Sequence, residues 1–368
     1  MEGGASENPV NITEKILADN GGVDAIKAKA QPILTKNAVS QSYYNSLQAT
    51  CDGTTDWCES KDRATVENGL YAKDDDYGTS YYFRGGDVKN NVMFAGFCWK
   101  IIRINGDSSV RMIYNGTSCN ATGTNAQVGT SQFSTKKDDN TDVGYMYGTR
   151  GATTYADTVK NTNNSTIKTY VDNWYKSHMT NYTSYLGDEL FCNDRSTTGK
   201  GYGKNETYYG ANNRRYGNLR NATSSADLTS LYNTITLKCP QKNDAFTVSD
   251  TTKGNGALTY PVGLITMDEM VLAGGGTAFE QWSEKYYRVN RNYYLYTGQI
   301  YWGLTPISLD GAGNTYVSAV ILTGFVRDNW PPSANGVRPV INLKSTVNVR
   351  NSKNSGTVDN PYQVIMDK

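Results

Sequence analysis

Residues 92–104 form the longest apolar stretch of the chain, and Asn105-Gly106 follows at once. A second alternating run, 109–114, comes next. Two such runs around Asn-Gly predict a β-hairpin, because a type I′ turn needs positive φ at both central positions and these two residues accept it most cheaply. Similar short runs recur. Tyr81-Tyr82-Phe83 precedes Gly85-Gly86, and residues 293–302, 316–322 and 337–343 read as further strands. With 36 Gly, 28 Tyr and only 38% hydrophobic residues, the chain suits many short strands joined by turns.

Helical signals are few and local. Asn11 stands where a cap is needed before Ile12, Ile16 and Leu17, and Gly21-Gly22 stops that pattern. Weaker helices are expected over 23–30 and 40–47. Residues 1–60 therefore read as a helical lead-in or stalk, and 61–368 as one β-rich body. Within it, Ile167, Tyr170, Val171, Trp174 and His178 fall on one face of a helix over 165–178, a face expected to pack on a sheet. A short helix is expected over 267–273, ended by Gly274-Gly275-Gly276. Residues 115–165 and 195–225 read as polar loops.

Several function classes lose support. Charge is balanced, 36 basic against 35 acidic residues, so nothing points to nucleic acid. No apolar run approaches ~18 residues, so a membrane would be met only through an anchor outside this chain. The start lacks the basic and apolar segments of a signal peptide. His178 is the only histidine and reads as a core-edge residue, which removes most His-based catalysis and metal sites. Asp74-Asp75-Asp76 and the series Asp138, Asn140, Asp142 lack the calcium-loop spacing and read as solvated turns. No cofactor and no metal are expected. Asp268 and Glu269, with Glu280 and Glu284, would be the carboxylates of a glycan or cell-wall hydrolase. Asp268 and Glu269 are already explained as acids at a helix start.

The six cysteines, Cys51, Cys58, Cys98, Cys119, Cys192 and Cys239, are even in number and suit an oxidising compartment. Cys51 with Cys58 closes a short loop, Cys192 and Cys239 sit in similar polar settings, and Cys98 and Cys119 remain.

Residues 286–330 carry the densest display of large polar and aromatic side chains. Tyr287, Arg288, Asn290, Asn292, Tyr296, Tyr301, Arg327, Asn329 and Trp330 are the candidate ligand contacts, since such side chains combine rigid area with hydrogen bonding.

Six segments carry a resemblance: FAGFCWKIIRI (94–104), STIKTYVDNWY (165–175), LFCNDRS (190–196), LTYPVGLITMDE (258–269), YYLYTGQIYWGLTP (293–306) and GVRPVINLK (336–344). Their order resembles that of a family of uncharacterised surface proteins of gut Gram-positive bacteria, over about residues 65–363. That family is similar to C-type-lectin-like and formylglycine-generating-enzyme-like domains and to the variable proteins of diversity-generating retroelements. The resemblance implies an α+β, β-rich C-type-lectin-like fold with long insertions, whose terminal strand closes a sheet and whose ligand face lies just before it. It implies that Val337, Val340 and Leu343 are buried in a central strand. The paired cysteines of the formylglycine-generating enzymes are missing, as is the Asn-Asp calcium motif of the calcium-dependent lectins. The expectation is an extracellular, surface-displayed adhesin without enzymatic activity, binding a protein or glycan on another cell or surface. The alternatives are the hydrolase above and a structural pilus or surface-assembly subunit.

Overall fold

The computed structural model describes residues 8–29, 57–59, 68–197, 203, 206–212, 235–275, 287–289, 291–353 and 355–366; of 57–59, 212 and 287–289 only the backbone is described. It is a β-rich α+β protein.

The expected hairpin forms between Phe97–Ile104 and Val110–Tyr114. Its turn is not the two-residue type I′ expected. Asn105 closes it by donating its N–H to the Ser109 carbonyl at 2.8 Å, and the left-handed residue is Ser108, with φ +72°. Gly106 is needed for a different reason: a Cβ there would overlap the backbone of Gly78, in the turn of the neighbouring hairpin Gly69–Asp75 and Gly78–Arg84. These strands belong to one seven-stranded sheet. Its order is Val340–Leu343, Val110–Tyr114, Phe97–Ile104, Gly78–Arg84, Gly69–Asp75, with Asn91–Phe94 also paired to Phe97–Ile104 and Tyr362–Gln363 parallel to Asn91–Phe94.

Val337, Val340 and Leu343 are fully buried, as expected. The strand Val340–Leu343 is not central, however. It ends the sheet, and its outer side meets only single bridges from Gly263 and Leu186. Packing by these two segments, not sheet position, buries it.

A second, six-stranded sheet orders Val326–Asn329, Thr315–Val320, Tyr301–Leu309, Asn335–Gly336 and Thr130–Ser131, with Thr207–Tyr208 also paired to Tyr301–Leu309. Residues 293–300 do not extend its long strand as expected. They turn instead, and the Tyr293 hydroxyl ties them to the Gly324 carbonyl at 2.6 Å. The loop reading of 195–225 is also corrected in part: Thr207 and Tyr209 are buried, and the Tyr209 hydroxyl donates to Asn140 Oδ1 at 2.7 Å. Residues 213–225 lie outside the described residues.

Both expected body helices are present. Thr166–His178 is capped by Ser165, whose Oγ accepts the Lys168 N–H; its Ile167, Val171 and Trp174 are buried, and Trp174 meets Trp99 and Tyr114 of the first sheet edge-on. His178 is exposed and stacks on Trp174 at the margin of that aromatic cluster. Met267–Leu272 begins in a reciprocal capping box between Thr266 and Glu269. It lies between the sheets. Arg84 of the first sheet donates to its last carbonyls at 3.1 and 3.0 Å, and Thr305 of the second accepts the Met267 N–H at 2.9 Å.

The stalk reading fails for the first helix. Asn11 caps Ile12–Asp19 as expected, but the strand before it, Pro9–Asn11, pairs with Asn348–Arg350, and Ile12 and Ile16 are fully buried in the body's own core. The helix expected over 40–47 lies outside the described residues. Cys98–Cys119 and Cys192–Cys239 are disulfides, as expected; Cys51, and so its pairing with Cys58, lies outside the described residues. Among the described residues, no helix is long and apolar enough to cross a membrane.

Two measurements check this fold. Gly106→Ala should cost about 1–3 kcal/mol, an overpacking penalty, because neither hairpin turn can retreat without disturbing the other; equilibrium denaturation reads it. Mass mapping of an unreduced digest should return the peptide pairs joined by Cys98–Cys119 and Cys192–Cys239.

Candidate functional site

The hairpin Thr315–Val320 and Val326–Asn329 carries the part of the expected ligand face that reaches solvent. Its register pairs Val317 with Asn329 and Val320 with Val326. Trp330 follows directly and is 47% exposed, a rare state for so large an apolar side chain. The ring is nonetheless held. Lys137 Nζ lies 3.6 Å from its centroid, a cation–π contact. The Tyr316 side chain lies beside it, and the Tyr316 hydroxyl donates to Asp310 Oδ2 at 2.9 Å. Asn329 Oδ1 accepts from the Trp330 N–H at 2.8 Å and from Ser333 Oγ at 3.1 Å, which fixes the backbone beneath the ring. Arg327 is partly exposed beside Asp328, at 3.8 Å.

The other expected contacts separate from this group. Tyr296 is half-buried and bonds the Leu322 carbonyl at 3.4 Å, at the turn end of the same hairpin. The three residue steps from Val326 to Asn329 put about 10 Å between that end and Trp330. Tyr301 is a correction. It is fully buried, its hydroxyl donates to the Leu295 carbonyl at 2.9 Å, and the buried Arg338 guanidinium covers its ring at 4.8 Å. Asn292 is half-buried, with its carbonyl against Gly86. Tyr287 and Arg288 lie on the strand Tyr287–Val289, parallel to Trp57–Glu59, and only their backbone is described; Asn290 lies outside the described residues. Lys137 escaped the sequence reading. It sits in a polar loop with no local signal, and only the 2.6 Å bond from Thr315 N–H to its carbonyl brings it here.

The acidic motifs have other work. Asp75 and Asp142 are buried, not solvated. Asp75 pairs with Arg103 and accepts the Tyr77 and Gly78 N–H groups. Asp142 accepts from Arg150 at 2.6 Å and Ser134 at 2.9 Å. Among the described residues, no three His, Cys, Asp or Glu side chains gather as a metal would require.

Asp268 and Glu269 line a narrow cleft with about 370 Å³ of empty space including its open mouth, together with Arg103, Arg111, Asp194 and Lys238. Glu269 lies 3.1 Å from Arg103 Nε and 2.6 Å from Arg111 Nε, although the second N–H is out of line for a hydrogen bond. Burial alone would raise its pKa, but the two guanidiniums, Arg111 foremost, hold it below the usual carboxylate value. An acid held ionised this way does not donate a proton to a leaving group. Glu280 and Glu284 lie outside the described residues.

No protein-family model, curated protein or solved structure matches the chain.

Replacing Glu269 with Ala strands the Arg111 guanidinium, 1% exposed, and leaves Arg103 with Asp75 alone. Glu269→Ala should therefore destabilise by about 3–5 kcal/mol in chemical denaturation, and the paired change Arg111→Met with Glu269→Ala should cost less than the sum of the two single changes.

Proposed function

We propose that this chain is an extracellular, surface-displayed binding protein of the C-type-lectin-like kind, taking a protein or glycan ligand at the face around Trp330. One observation carries the reading: a large aromatic side chain is presented to solvent while its Lys137, Tyr316 and Asn329 contacts keep it in one orientation. Binding sites use such anchors, because a side chain already ordered loses little entropy when the ligand arrives. Arg327, Asp328 and Asn329 add charged and amide groups along the adjoining strand. The disulfides fit an oxidising compartment. The C-type-lectin-like assignment is supported by the resemblance and by the strand Val340–Leu343, which follows this face in the chain and ends the first sheet.

The test is a glycan array and a surface-protein array probed with the wild-type chain and with Trp330→Ala and Arg327→Ala. Binding should weaken in both variants while stability stays within about 0.5 kcal/mol of wild type. Retention of full binding by Trp330→Ala would place the site elsewhere. Which array responds distinguishes the glycan from the protein.

A further inference from the structure

A second feature lies inside the first sheet. Asn91 and Lys100 stand directly opposite each other on the antiparallel strands Asn91–Phe94 and Phe97–Ile104. Both are buried, Asn91 1% and Lys100 9% exposed. A lysine ammonium taken out of water is normally matched by a carboxylate. Among the described residues none pairs with Lys100, and the charge that acts on it is the Arg338 guanidinium, which repels it. Its hydrogen bond goes instead to Asn91 Oδ1, at 2.5 Å. The carboxamide that supplies this oxygen is clamped. Asn91 Nδ2 donates to the Gly356 carbonyl at 2.8 Å, and the Asn91 backbone N–H donates to the same carbonyl at 3.0 Å. A protonated lysine only donates and a carbonyl only accepts, so the amide has one orientation: oxygen toward Lys100, nitrogen toward Gly356.

An amine and an amide carbon are thereby held together with no water between them. A C=O bond is about 1.23 Å long, so Asn91 Cγ stands within about 3.7 Å of Nζ. Reactants positioned for attack stand about 3–3.5 Å apart. The attacking form is the neutral amine. Burial first, and then Arg338, brings Lys100 down to about 8, so a share of it is neutral near neutral pH. The same guanidinium favours the negative charge that gathers on Oδ1 as a bond to Cγ forms.

We propose that Lys100 and Asn91 join in an intramolecular isopeptide bond once the first sheet has folded around them. Lys100 Nζ forms a bond to Asn91 Cγ, the Cγ–Nδ2 bond breaks, one proton passes from Nζ to Nδ2, and ammonia leaves. Nothing is oxidised or reduced, and no other reactant is consumed. The product removes the electrostatic difficulty of the site, because a neutral amide takes the place of a buried ammonium beside a buried guanidinium. It also fastens the strand Asn91–Phe94, to which Tyr362–Gln363 is paired, to the strand Phe97–Ile104 in the middle of the sheet.

The intact mass of the folded wild-type chain, incubated at pH 8.5 and then fully reduced, tests this. The chain should be lighter than its sequence by one ammonia. A reduced tryptic digest should contain one branched peptide in which Asn91 is joined to Lys100, with no cleavage after Lys100. Lys100→Met and Asn91→Ala should each keep the full mass of their sequences. A wild-type chain that keeps its full mass after prolonged incubation overturns the proposal. So does a loss of ammonia without the branched peptide, as cyclisation at Asn105-Gly106 would give. Both wild-type readings hold whether or not the variants fold.

Discussion

Glu269 sits between Arg103 and Arg111, and Arg103 reaches on to Asp75. All four are nearly inaccessible to water. Taking them out of water is costly, and apolar residues of the same shape would serve stability as well or better. What the cluster supplies is register. Asp75 belongs to the outer hairpin of the first sheet, Arg103 and Arg111 to its two middle strands, and Glu269 to the helix between the sheets. A slip of one residue in any of these strands would turn a charge into the apolar layer and leave its partners unpaired. The cluster thereby fixes where the helix Met267–Leu272 lies, and through Thr305 where the second sheet begins. The Trp330 face is carried on that second sheet.

Glu269 also shows where reading a sequence stops. Its place three residues after Thr266 is a local signal for a helix start, and the capping box is there. Its pairing with Arg103 spans 166 residues and has no local signal at all. The same division runs through the fold. The hairpin after residue 92, the helix from Ser165 and the cap at Asn11 were legible because each depends on neighbours a few positions away. The buried state of Asp75 and Asp142 was not, because a carboxylate in a polar run looks solvated until Arg103 or Arg150 is placed beside it.

The ligand face was half legible for a related reason. Alternation along a strand separates an inner from an outer face only where one side of the sheet is wet. All nine residues of Tyr301–Leu309 are buried, so Tyr301 has no outward option, and its hydroxyl is satisfied within the protein. The strand Val326–Asn329 lies at the end of the same sheet, where Arg327, Asp328 and Asn329 are only partly covered. Composition gave Tyr301 and Trp330 equal standing; position within the sheet separates them.

Arg338 extends that separation to residues 336–344. Its guanidinium donates to the Tyr114 carbonyl at 3.0 Å, the Leu295 carbonyl at 3.1 Å and Asn115 Oδ1 at 2.9 Å. Tyr114 belongs to the first sheet, while Tyr301, over which Arg338 lies, belongs to the second. Burial pushes the pKa of Arg338 down, yet three carbonyl dipoles and an aromatic face accept the charge in place of water. Leu295 accepts from both Arg338 and Tyr301, so the segment that turns toward Leu322 is anchored at its base. The Trp330 end is anchored separately, through Lys137 and Asp310. A ligand taken up at this hairpin, as proposed, would find both ends already ordered, and its contact with Trp330 would not be spent on immobilising the strand that carries it.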